Sequence, residues 1–358
     1  MYNVAIIGCG RISHKIAEGI AKNSDRMKLV VLCDPIEEKM FETEKTYNKK
    51  MEKENKILKY KDYKEILKEN KVDIAIISTE SGYHEKIGLY FLENKVNLII
   101  EKPLAMSIEG AEKLVDTANK NNLKLAASHQ NRFNYPIQLL KKAIKENRLG
   151  RIFNGMARIL WTRDDNYYLQ APWRGTWALD GGTLMNQCIH NIDLINWMMD
   201  DEIDTVYAQT SKYIRNIEAE DYGVILIRYK SGKIATIEGS AIVYPKNLEE
   251  TLTITGEKGT VVIGGMAVNK INTWRVEGDN EQEYLSIDCG DPNSVYGYGH
   301  EALYKDFIDA LDENREPLVN GKAGLEAVKI ILAAYKSQKT GLPVKFNEFL
   351  KFSTIEMV

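Results

Sequence analysis

Nothing in this chain of 358 residues approaches a run of about 18 consecutive apolar residues, so no membrane-spanning helix is expected. An excess of one charge is also missing, because 48 basic and 51 acidic residues leave a net charge of -3. No global field would draw the chain to nucleic acid or to an anionic membrane, and neither partner is expected. Cysteine is scarce. Cys9, Cys33, Cys188 and Cys289 have neither paired nor metal-like spacing, which argues against a disulfide framework and gives no metal site. They suit a reducing cytoplasm. The chain enters a strand pattern directly after Met1-Tyr2-Asn3, which leaves no room for a signal peptide. What is present is ordinary for a globular protein: 44% hydrophobic and 28% charged residues, over a length that accommodates two domains.

The first 128 residues alternate apolar runs with helical patterns, which predicts a doubly wound parallel sheet. Val4-Ala5-Ile6-Ile7 reads as a buried strand, and Gly8-Cys9-Gly10-Arg11-Ile12-Ser13 follows, with a helix to Lys22. The first glycine permits a tight turn, and the second lets a pyrophosphate approach the backbone at the helix N-terminus. Ser13 replaces the third glycine and is small enough for close packing. A second strand ends at Asp34, near the spacing of about 20 residues expected of a carboxylate on the adenosine ribose. No basic residue follows it directly, so NAD is favoured over NADP; the other reading of Asp34 is a helix cap. Residues 49–61 are polar and lysine-rich and read as a loop or a solvated face, and Asp62 caps a short helix to Glu69. The strand Asp73–Ile77 ends at Ser78-Thr79, whose hydroxyls could lie along a cofactor, and His84 opens a helix as cap or as cofactor contact. Leu98-Ile99-Ile100 then delivers Glu101-Lys102-Pro103 to the carboxyl end of the sheet, where such folds bind their ligands. Pro103 stiffens the loop, and a lysine held there can exchange a proton. Ser107 caps the next helix, and Lys124–Ala127 is the last strand of this half.

Beyond residue 129 the pattern changes. After a helix over 135–147, the segments 152–161, 205–213, 222–229, 233–243 and 251–254 read as strands of a large open, mainly antiparallel sheet, with Ser231-Gly232 a hairpin turn. An open sheet needs cover, so a homodimer or homotetramer is expected. Within this half, Trp161-Thr162-Arg163, Tyr167-Tyr168 and Trp173-Arg174-Gly175-Thr176-Trp177 form an aromatic, arginine-rich loop. Arginine forks match phosphate oxygens, and aromatic faces stack on a base or sugar. Asn186, His190 and Asp193 fall at i, i+4 and i+7, on one face of a predicted helix after Gly181-Gly182.

Gly8-Cys9-Gly10, Glu101-Lys102-Pro103 and the Gly181-Gly182 helix with His190 and Asp193 together resemble the Gfo/Idh/MocA family of NAD(P)-dependent sugar oxidoreductases. Gln130-Asn131-Arg132, the Trp/Arg loop, Met185-Asn186-Gln187 and Tyr296-Gly297-Tyr298-Gly299-His300 are most similar to its UDP-N-acetylglucosamine(-uronate) 3-dehydrogenases of the WlbA/WbpB type. The resemblance implies a Rossmann domain over 1–128 and an α+β domain over 129–358, with the last helices able to return to the first domain. It implies NAD as cofactor, contacted by Gly8, Gly10, Arg11, Ile12, Asp34, Ser78, Thr79, His84, Glu101, Lys102, Gln130 and Asn131. The substrate implied is UDP-GlcNAc or its C6 acid, contacted by Arg163, Tyr168, Trp173, Arg174, Asn186 and His190. An amine from the first half and an imidazole from the second would act on one sugar carbon. Lys102 and His190 are the two candidates for the base. Many family members carry an aspartate where this chain has Asn186, which orients but bears no charge, so the proton falls to Lys102. Some relatives recycle NADH with 2-oxoglutarate. The alternatives are a free-sugar or inositol dehydrogenase, an NAD-dependent glycosidase, or a non-enzymatic dinucleotide sensor.

Overall fold

The computed structural model describes residues 1–290, 297 and 299–358; Tyr296 and Tyr298 of the late motif lie outside them. The chain divides into two compact units, the first made of Met1–His129 and His300–Leu325, the second of Gln130–Gly299 and Glu326–Val358. Among the described residues no helix is long and apolar enough to cross a membrane.

The first unit is built on strands β1 (Tyr2–Ile7), β2 (Met27–Cys33), β3 (Leu58–Tyr60), β4 (Ile74–Ile77), β5 (Asn97–Ile100) and β6 (Leu125–Ala127). All pair in parallel, in the order β3-β2-β1-β4-β5-β6. The apolar runs exist because both faces are covered: Val4 to Ile7, Ile74 to Ile77 and Leu98 to Ile100 are at most 2% exposed. The connecting helices are α1 (Ser13–Lys22), α2 (Glu37–Met51), α3 (Ile66–Glu69), α4 (His84–Glu93) and α5 (Ile108–Lys120). The Asp62 and Ser107 carboxylate and hydroxyl accept the Lys64 and Gly110 N–H groups, as their positions predict. The polar stretch 49–61 is not one loop. It holds the end of α2 and the edge strand β3, whose three residues were too few to register in a lysine-rich background. Helix α11 (Gly299–Asp312) and the segment after it complete this unit. The Ala127 N–H donates to Val319 O at 3.1 Å, Ala126 bridges Asn320, and Tyr304 lies against Gly19 of α1.

The second unit contains α6 (Tyr135–Lys145), β7 (Ile152–Leu160), α7 (Asp165–Leu169), α8 (Thr183–Asn186) and α9 (Ile189–Met199). Strands β8 (Ile203–Ser211), β9 (Tyr222–Tyr229), β10 (Ile234–Ser240), β11 (Glu249–Gly256), β12 (Gly259–Gly264) and β13 (Lys270–Val276) follow, then α10 (Glu281–Leu285), α12 (Gly321–Thr340) and β14 (Val344–Lys345). The sheet has eight strands in the order β13-β12-β11-β7-β10-β9-β8-β14. It is mainly antiparallel, as expected, with one exception: β7 and β10 pair in parallel. Alternation fixes which face a residue takes, not the direction of its neighbour. In β9 the inward Gly223, Ile225, Ile227 and Tyr229 are buried, while Val224, Leu226 and Arg228 face outward and are exposed. Helix α9 packs on β7, β10 and β11.

Candidate active site

Every predicted cofactor residue of the first unit follows the carboxyl end of a strand. Gly8 holds φ +93°, and a β-carbon there would meet the Ser78 and Thr79 backbone at 2.6 Å. Only glycine satisfies both conditions. The Ser78 hydroxyl closes the approach by donating to Gly8 O at 2.7 Å. Gly10 has open space where a side chain would stand, and α1 has neither a side-chain cap nor an acid in its first turn. A bare helix start beside an open glycine fits a pyrophosphate. Arg11 is exposed, and Ile12 and Thr79 are half-buried.

Asp34 is 6% exposed. Its Oδ2 accepts the Cys9 N–H and its Oδ1 the Ile36 N–H, both at 2.9 Å. The carboxylate therefore caps the turn after β2 and also ties down the glycine loop, and each oxygen retains a lone pair for a further donor. His84 is buried, with Nδ1 2.7 Å from Pro103 O and Nε2 3.1 Å from Thr79 O. Burial lowers its pKa. Both ring nitrogens are taken up by the loops after β4 and β5, so the imidazole braces those loops against each other. Glu101 is buried, and burial raises its pKa. Its Oε1 faces His300 Nε2 at 3.9 Å, and burial pushes the His300 imidazole down to about 4. Lys102 is half-buried and joined to Pro103 by a cis peptide.

In the second unit, Gln130 and Asn131 are buried, and their side-chain carbonyl oxygens have no partner among the described residues. Orphaned buried acceptors of this kind fit a bound ligand. Arg163 lies 4.7 Å from the Trp161 ring and 5.3 Å from that of Tyr167. Arg174 lies 4.3 Å from the same Tyr167 ring and 4.7 Å from Trp173. The Arg163 guanidinium donates to Thr162 O, Arg174 Nε is buried without a partner among the described residues, and neither arginine forms an ion pair among them. Tyr168 is half-buried, and burial raises its pKa.

The helix predicted to carry Asn186, His190 and Asp193 on one face is two helices. Helix α8 ends at Asn186 and α9 begins at Ile189, and the Gln187 and Cys188 N–H groups both turn back to Thr183 O. Asn186 donates through Nδ2 to Asp180 Oδ1. Asp180 Oδ2 accepts the Gly175 N–H at 2.7 Å, which links the Trp/Arg loop to α8. Asp193 is committed elsewhere. Arg132 grips it in a buried fork, Nε to Oδ2 at 2.7 Å and Nη2 to Oδ1 at 2.6 Å. His190 is half-buried on the first turn of α9. No group of three His, Cys, Asp or Glu side chains that could hold a metal ion occurs among the described residues.

Two family models match this chain. One, described as "Oxidoreductase family, NAD-binding Rossmann fold", matches residues 2–129; the other, "Oxidoreductase family, C-terminal alpha/beta domain", matches residues 141–346. The chain belongs to the Gfo/Idh/MocA oxidoreductase family. It is an NAD-dependent oxidoreductase. Among solved Gfo/Idh/MocA structures it is similar to the WlbA dehydrogenase of Bordetella pertussis in complex with NADH and UDP-GlcNAcA, with 32% identity, TM-score 0.85, and 96% and 98% of the two chains covered. The WlbA enzyme of Chromobacterium violaceum, in complex with the same two ligands, is 33% identical at TM-score 0.85, covering 96% and 95%. By sequence it is similar to myo-inositol 2-dehydrogenase of Thermotoga maritima, 24% identical over 97% of this chain and 99% of that one.

Sequence reasoning missed three buried groups of this Gfo/Idh/MocA chain. Glu220 and Glu250 are nearly inaccessible, and burial pushes both carboxyls up to about 8. Glu220 sits in Glu218-Ala219-Glu220-Asp221, which reads as surface. Only the strand alternation that begins at Tyr222 hints otherwise, because it makes this run the lead-in to a half-buried strand. Arg132 was noted as part of a motif, but nothing local announces its partner 61 positions on.

Proposed function

We propose that this enzyme oxidises the C3 hydroxyl of a UDP-linked N-acetylhexosamine, UDP-GlcNAc or its C6 acid, to the 3-keto sugar. The observation that carries the reading is the pair Arg163 and Arg174, stacked around one tyrosine ring, with no ion pair to either among the described residues and only the buried Glu250, whose carboxyl burial holds protonated, in the field of Arg163. Two uncompensated guanidinium forks in an aromatic frame suit a diphosphate and a uracil ring. The identity to two dehydrogenases bound to UDP-GlcNAcA supports the same substrate class.

NAD, when bound, accepts a hydride from the sugar carbon. Lys102 takes the hydroxyl proton, a step of the kind that contributes about 10² to 10⁴ in rate. His190 holds the reacting or neighbouring hydroxyl, and Asn186, tethered to Asp180, orients without adding charge. Arg163, Arg174, Tyr168 and Trp173 hold the nucleotide end. The similarity to an inositol dehydrogenase favours a second reading, oxidation of a neutral polyol, but such a substrate has no use for the arginine pair. Calorimetric titration separates the two: UDP is expected to bind and myo-inositol and glucose are not. Appearance of NADH absorbance with a UDP-sugar completes the test. NADH formed from inositol, with no heat from UDP, would sink the proposal.

A further inference from the structure

The N-cap position of α8 is Gly182, which has no side chain to cap with. Three N–H groups that open this helix are nonetheless satisfied from elsewhere in the fold. Gly182 N–H donates to Tyr335 Oη at 3.4 Å, Thr183 N–H to Glu220 O at 3.0 Å, and Leu184 N–H to Glu220 Oε1 at 2.8 Å. Tyr335 Oη in turn donates to Glu220 Oε1 at 3.1 Å, and its ring meets Trp177 edge-on at 5.1 Å. Glu220 is 3% exposed, Tyr335 is fully buried, and Glu220 Oε2 has no partner among the described residues. A β-carbon at Gly182 would overlap the Glu220 carboxyl group. The glycine therefore makes room for a carboxyl group that belongs to another element.

We propose that Glu220, with Tyr335, is a positioning residue for the oxidation, acting as an external cap that fixes where α8 starts and hence where Asn186 and His190 stand. The role of those two residues rests on the reading of function above. A helix start held by a side chain across the fold sets position more tightly than one held by its own cap, because both partners are themselves locked by packing. The titratable groups facing Glu220 are Tyr335 from α12, Tyr168 from α7, Cys188 from the α8–α9 break and its own neighbour Asp221, and none of them is a cation. With no cation to hold it ionised, Glu220 carries its proton at neutral pH and loses it as the pH passes about 8. Burial favours the protonated form, so ionisation costs more in this site than in water, and the cap loosens as the carboxyl group loses its proton.

Hydrogen–deuterium exchange of the peptide spanning Gly182 to His190, followed on substrate-free enzyme from about pH 6.5 to about pH 9.5, reads the cap directly. After correction for intrinsic exchange, protection is expected to fall through about pH 8 in the wild type. The fall is expected to vanish in Glu220→Gln and to move to higher pH in Tyr335→Phe, whose lost hydroxyl no longer donates to the ionised acid. In steady state, Glu220→Gln is expected to keep kcat within about twofold at neutral pH and to erase the matching inflection in the pH profile, whereas Glu220→Ala, which removes the cap, is expected to lower kcat about tenfold with a smaller change in KM. Exchange unchanged in both variants overturns the proposal. So does a variant that melts earlier yet keeps the wild-type kcat and pH profile, since that is the mark of a merely structural residue. If no UDP-sugar yields NADH with the wild type, the substrate reading fails alone, and the exchange comparison still decides whether the cap exists.

Discussion

The two units solve the problem of holding a ligand in opposite ways. The first buries its strands on both faces and leaves only the loops at their carboxyl ends for chemistry. Its candidate site is a row of backbone turns, with Gly8 fastened to Ser78 and Cys9 to Asp34 by short bonds. The second buries one face of a broad sheet, and its candidate residues are side chains on a loop and on α8 and α9, with Asp180 and Glu220 each accepting a backbone N–H beside them. A cofactor common to a whole family is held by main chain, which mutation alters little. A substrate that differs among relatives is held by side chains, which mutation alters readily.

The largest effect that would sharpen this contrast is Arg132→Ala. It strands Asp193 in the interior and is expected to cost the second unit about 3–5 kcal/mol. Calorimetry should show the transition of that unit moving while the other stays; a common shift would mean that the two do not melt separately. Next comes pH. Glu220 and Glu250 have folded pKa values raised above the unfolded carboxyl value, so their contribution is present below about pH 4.5 and is lost as the pH rises to about 8. His300, in the first unit, is lowered to about 4, so its contribution is present above about pH 6.5 and lost as the pH falls through about 4. Glu101 shares the direction of the other two acids. Glu220→Gln should therefore flatten the alkaline fall of denaturant midpoints, and His300→Gln the acid fall; the reverse assignment would contradict the burial described here. Lys102→Ala is expected to lower turnover by at least about 100-fold while NAD still quenches protein fluorescence with near-native affinity. A near-normal rate would remove Lys102 from the mechanism. Smallest is Asp34→Ala, expected to weaken NAD about fivefold more than NADP. Equal losses would leave the carboxylate as a turn cap only.

The first unit was legible because its signals are local. Val4–Ile7 before Gly8-Cys9-Gly10, and Leu98–Ile100 before Glu101-Lys102, each state strand, turn and ligand end within ten residues. The second was legible in its residue types and less so in its geometry. The tryptophans and arginines stood out, but the parallel pairing of β7 with β10 depends on partners 80 positions apart. The break between α8 and α9 follows a cap delivered by Glu220 from outside the helix, so periodicity alone reads the two as one. The acid itself was hidden because a buried carboxyl in a polar run has no signature of its own.

One consequence follows from the way the nucleotide-binding unit borrows its last piece from residues 300–325. During synthesis Leu125, Ala126 and Ala127 leave the ribosome long before Val319, Asn320 and Gly321 exist to cover them. The half that is translated first thus stays open until residues 300–325 emerge, by which time most of the second unit has already been made.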